Sequence, residues 1–189
     1  MIEEIEKMAA WYRPREEKKG TTEKILKEAI SRVEKISAAR EIPRARSDIK
    51  ALFKTINARD IVAPKVLILG EIYVVHDDFS SHDLIRHLGN LGFEVINVHS
   101  AKEILLHYVF NPYFRWKMDR IIRPYLSVHV GGHAGENIKE LILHCQKHMI
   151  SGVVHVAPFG CMPEVTVNPI LQKIAWERNI PFLFITFDE

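Results

Sequence analysis

Cysteine is scarce: only Cys145 and Cys161 occur in 189 residues. Two thiols give no disulfide framework, and they suit a reducing compartment. Long apolar runs are missing as well, none approaching the roughly 20 residues of a membrane span. The charged start MIEEIEKMAAWYRPREEKK lacks the apolar core of a secretory signal. A cytoplasmic protein with no membrane partner is expected. No large excess of one charge exists either, the net charge being +2. Residues 1–60 carry 15 Lys+Arg against 11 Asp+Glu, and residues 61–189 carry 11 against 13. Acids and bases interleave at helical spacing, as in Glu23, Lys24, Lys27 and Glu28, which describes a solvated helix face rather than a nucleic-acid surface. GEIYVVHDDFSSHD holds one glycine after a strand-like run, not the glycine-rich loop of a dinucleotide or ATP site. There is no Ser/His/Asp spacing of a hydrolase, no internal repeat and no low-complexity segment.

What is present divides at about residue 62. Residues 1–62 read as a helical segment packed on the sheet that follows. Ile2, Ile5, Met8 and Ala9 recur at helical spacing, as do Ile25, Leu26, Ala29, Ile30, Val33 and Ile36 after a cap at Thr21 or Thr22, and then Ile49, Leu52, Phe53 and Ile56. Residues 63–189 read as an α/β domain. KVLILG (65–70), FEVINV (93–98), GVVHVA (152–157) and FLFITF (182–187) are strand-like, with helical segments near 81–91, 101–124, 135–150 and 169–178. That alternation predicts a parallel sheet with right-handed crossovers, and a flavodoxin-like order 2-1-3-4. Gly70 to Val74 and Ala157 to Glu164 should then face each other at the carboxyl ends of the first and third strands.

The stretch GVVHVAPFGCMPE, residues 152–164, carries the most chemistry. It sets Cys161 beyond a buried-looking strand, on the rim where open α/β sheets gather ligands. Gly160 and Pro163 hold the thiol in a loop. Asn168-Pro169 is a good helix start, so Met162 to Val167 is expected to be loop, because a helix from Pro163 would enclose Pro169 at about 3 kcal/mol. The rival reading of Cys161 is a plain packing cysteine. Cys145 falls on a helical stripe with Ile138, Leu141, Ile142 and Met149 and reads as core. His144 and His148 share a helix face without a third metal ligand at fitting spacing. His129 and His133 bracket two glycines, and Glu136 either holds His133 or caps the next helix. Glu71 and Glu164 each follow a strand, a weak basis for a carboxylate pair.

GEIYV (70–74), GGHAGENI (131–138) and GVVHVAPFGCMPE, followed by NPILQKIAWERNIPFLFITFDE, resemble in order and spacing the closing part of the 2-hydroxyacyl-CoA dehydratase superfamily, especially its activase-related proteins. The resemblance covers about residues 65–189, with a weaker match at WYRPREEKKG (11–20). It implies an iron-sulfur electron-transfer component of anaerobic metabolism, working beside an ATP-hydrolysing activase. The cysteine of its CMPE block is a cluster ligand in that family and maps onto Cys161. It also implies a site lined by Gly70, Glu71 and His133, with Pro158, Phe159 and Gly160 shaping a dry shell. A four-iron four-sulfur cluster usually needs several thiolates. The expectation is therefore a shared cluster, its other cysteines supplied by a partner subunit or by a missing N-terminal portion. A rival reading is a non-catalytic interaction module that kept the fold and lost the cluster. Another is a small-ligand-binding domain using the same crevice.

Overall fold

The apolar runs that alternate with helical stripes form one parallel sheet. The computed structural model describes residues 1–97, 116, 120–126, 130–146 and 150–188. Strands β1 (Lys65–Gly70), β2 (Glu94–Asn97), β3 (Gly152–Pro158) and β4 (Phe182–Phe187) lie in the order β2-β1-β3-β4, the flavodoxin-like order 2-1-3-4. The pairing of β1 with β3 sets Val66 opposite Gly152 and Gly70 opposite Val156; that of β3 with β4 sets Val153 opposite Phe182. Every residue of β1 after Lys65 is buried, and β3 is buried from Gly152 to Ala157. This is the near-continuous apolar pattern of strands covered on both faces.

Two compact units divide the chain: Met1–Pro64 with Ile85–Val95, and Lys65–Leu84 with Ile96–Glu189. The second has its core between the sheet and two helices, α6 (Ala134–Gln146) and α7 (Met162–Trp176). Leu67, Leu69 and Val153 of the sheet meet Ile138, Leu141, Ile142 and Cys145 of α6 and Val167, Leu171 and Ile174 of α7. Each fully buried Leu, Ile or Val contributes about 1.5–3 kcal/mol relative to exposure. Cys145 is therefore a packing residue, as its spacing predicts. The helix expected near 81–91 is α5 (Leu84–Asn90), and a short helix not expected from the sequence, α4 (Ile72–His76), precedes it. Most of the expected helix at 101–124 lies outside the described residues, as do His129, His148 and Met149.

In the first unit, α1 (Ile2–Tyr12), α2 (Thr21–Glu34) and α3 (Ile42–Phe53) enclose Ile5, Ala9, Ile25, Ala29, Ile49, Phe53 and Ile56, the residues of the three stripes. The start of α2 differs from expectation. Gly20 takes the cap position, and the Glu16 carboxylate accepts from Gly20 N at 2.6 Å and Thr22 N at 2.7 Å. A carboxylate here meets both the unpaired amides and the positive end of the helix. Thr21 and Thr22 cap nothing with their side chains.

Candidate functional site at the carboxyl ends of β1 and β3

The largest departure from the sequence expectation lies just past β3. Met162 to Val167 is not a loop: α7 begins at Met162, Pro163 stands in its first turn and Pro169 lies inside it. The gain that offsets the proline is visible in the burial. Glu164, Val167, Leu171, Ile174 and Ala175 form its inward face. Asn168 does not cap; its Oδ1 lies 3.1 Å from His155 Nδ1 on β3. Five buried positions and this polar contact outweigh an interior proline of about 3 kcal/mol.

The early start puts Cys161 at the cap position of a 15-residue helix, where its carbonyl accepts from Val165 N at 2.9 Å. The chain reaches it through a tight turn in which Cys161 N donates to Pro158 O at 3.1 Å. Gly160 has φ +75° there, the left-handed conformation that glycine adopts without strain. The thiol is half-buried. Phe159 and Met162 beside it are 73% and 74% exposed. Of Pro158, Phe159 and Gly160, the residues expected to shape a dry shell, Phe159 is exposed in the single chain, so a shell there requires a second surface to cover it.

Beneath this turn lies a buried polar network that the motifs alone do not reveal. His155, in the middle of β3, is 0% exposed, and Glu164 in the first turn of α7 is 1% exposed. His155 Nε2 lies 2.8 Å from Glu164 Oε2. Asn137 of α6 donates to the same oxygen through Nδ2 at 2.8 Å. Asn137 also clasps the end of β1, its Oδ1 accepting from Gly70 N at 3.2 Å and its Nδ2 lying 3.3 Å from Gly70 O. A buried carboxyl group is costly unless hydrogen bonds compensate it, and the contacts to His155 and Asn137 supply that compensation. Asn137 thereby ties together GEIYV, GGHAGENI and GVVHVAPFGCMPE.

Gly70 is irreplaceable for a steric reason. At φ +140°, a Cβ would stand 1.8 Å from Val156 O. Glu71 follows at the cap of α4; its N–H donates to Val156 O at 3.1 Å and its carboxylate accepts from Val74 N at 3.0 Å. Its side chain is thus engaged in capping, while that of Glu164 serves the buried network. His133 stands in the turn before α6, its carbonyl accepting from Asn137 N at 2.9 Å. The neighbouring Gly132 lies against Pro163, whose ring a Cβ would approach to 3.2 Å. His144 bonds within its own helix, its Nδ1 2.9 Å from Glu140 O.

The two thiols differ in environment. Burial pushes the Cys145 thiol above its ordinary range, against a smaller opposing pull from Arg178. Among the described residues, no three His, Cys, Asp or Glu side chains are grouped as a metal site. Of the two cysteines only Cys161 lies outside the buried core, so the chain by itself does not offer the several thiolates an iron-sulfur cluster needs. No described helix is long and apolar enough to cross a membrane. The chain matches no protein-family model and no curated protein.

Proposed function

We propose that the protein is a cytoplasmic, iron-sulfur electron-transfer component that contributes one thiolate, Cys161, to a cluster completed by cysteines not in this chain. The observation that carries this reading is the placement of Cys161: a half-buried thiol at the start of α7, on the carboxyl edge of the sheet, flanked by exposed Phe159 and Met162. The blocks resembling the activase-related dehydratase proteins lie together around it, which supports the same reading. Such a cluster supplies one-electron transfer when bound. The chain's own part is to hold the sulfur in place through the Gly160 turn and the first turn of α7, and to offer Phe159 and Met162 to a covering surface. An ATP-hydrolysing activase and an acyl-CoA dehydratase or similar reductase are the partners this reading calls for.

Exposed Phe159 and Met162 also favour a second reading, a docking module without a cluster. One experiment separates the two. The tagged chain is isolated anaerobically from the cells that encode it, and iron and acid-labile sulfide are counted in the complex. Cluster sharing predicts both, in an assembly that contains a second cysteine-bearing segment. A stable complex free of iron and sulfide supports the docking module instead.

A further inference from the structure

The last strand of the sheet is unlike its neighbour. β3 is buried from Gly152 to Ala157, whereas no residue of β4 is buried and Leu183 is 54% exposed. β4 ends the strand order, so one side pairs with β3 and the other meets no strand among the described residues. In a parallel ladder the N–H and C=O of one residue point to the same side, and those of the next point the opposite way. Pro181 O accepts from Val153 N and Phe187 O from Phe159 N. Residues 181, 183, 185 and 187 therefore face β3, and the main-chain groups of Phe182, Phe184 and Thr186 point off the free edge. Natural edges are blunted by charge, proline or bulges. FLFITF has no charge and no proline.

We propose that β4 pairs antiparallel with β4 of a second copy of this chain, about a two-fold axis at Phe184. For a second copy as the occupant, the pattern of outward groups selects this direction. Antiparallel pairing about such an axis sets Phe184 opposite itself and Phe182 opposite Thr186 of the second copy, outward residue against outward residue, so each finds a donor and an acceptor. Symmetric parallel pairing fails, because there a bonded residue must stand opposite one that faces away. The flanking charges agree. Asp188 follows the strand and Arg178 precedes it, so antiparallel alignment brings the acid of one copy to within two residues of the base of the other. Parallel alignment would set acid beside acid. On the face away from α7, exposed Leu183 would be covered by Ile185 of the second copy, an apolar cross-strand pair. The carboxyl edges of the two half-sheets then point in opposite directions, so this pairing does not join two Cys161 thiols and stands apart from the cluster reading.

The test is sedimentation equilibrium of the full chain, cluster-free, over a wide concentration range, with amide hydrogen exchange at both ends of that range. The mass should rise from 21.9 kDa toward twice that value, and the amides of Phe182, Phe184 and Thr186 should gain protection as it rises. Leu183→Lys places a cation on an exposed position, and Thr186→Pro removes an outward N–H; each should hold the chain at the single mass with an unchanged circular-dichroism spectrum. A wild type that stays at the single mass throughout overturns the proposal. So does a dimer that forms equally in both folded variants, or one that leaves those three amides unprotected.

Discussion

Asn137 holds Gly70 by both of its main-chain groups, at 3.2 and 3.3 Å, and spends a remaining donor on the buried Glu164 carboxylate. One side chain on α6 thus fixes the end of β1 against the first turn of α7, the turn that carries Cys161. Asn137→Ala should cost about 3 kcal/mol in urea unfolding, because it strands buried polar groups on Gly70 and Glu164. Asn137→Asp should be at least as damaging near neutral pH, since it replaces the donor to Glu164 with a second acceptor. A change under 1 kcal/mol for Asn137→Ala, on the scale of about 1–3 kcal/mol per stranded group, would show that the clasp holds nothing.

Gly70→Ala should prevent stable folding or cost well over about 3 kcal/mol, because the added carbon overlaps a carbonyl of the central strand rather than a movable side chain. Gly160→Ala provides the contrast. It meets open space and pays only for its left-handed backbone, about 1–2 kcal/mol. Thermal unfolding of the two variants should therefore separate widely; equal midpoints would contradict the overlap.

The alkaline side of the stability profile should report Cys145. Its thiol is raised by burial, so the folded chain keeps a proton that the unfolded chain releases. That contribution is fully present below the ordinary thiol value of about 8.5 and is lost as pH rises through the higher folded value. Urea unfolding of the wild type should weaken from about pH 8 to pH 10 more steeply than that of Cys145→Ala. The variant should itself lose about 1 kcal/mol at neutral pH for the missing volume. Parallel profiles would remove Cys145 as the source.

Under native, reducing, cluster-free conditions a thiol reagent should modify Cys161 well before Cys145, which lies in the core with Leu141 and Ile142. Mass spectrometry of the labelled peptides reads the order directly. Preferential labelling of Cys145 would reverse the assignment of exposed and structural thiol.

The sheet was legible because its signals are local and mutually consistent: KVLILG and FLFITF form strands with the expected bounds, and the stripes before Pro64 supply the core of the first unit. The start of α7 was not, because Pro169 is a local stop signal while the burial of Glu164 and Val167 is a tertiary gain. The polar network was hidden for a related reason. His155 sits in an apolar run and Glu164 in a supposed loop, and Asn137 joins them only through folding. One signal was available: a histidine in the middle of a fully buried strand must find a polar partner. Glu16 escaped in the same way, lying five residues ahead of the helix it caps while two threonines stood at the expected place.

The central proposal is that Cys161 is a cluster ligand shared with cysteines not in this chain. Its most direct test is iron and acid-labile sulfide per chain in the anaerobically isolated complex, for the wild type, Cys161→Ser and Cys145→Ser. The account predicts little iron on the chain alone, a cluster in the wild-type complex, its loss or altered visible spectrum in Cys161→Ser, and no change in Cys145→Ser. A full complement of iron on the isolated chain, or a complex whose cluster is indifferent to Cys161→Ser, would contradict it.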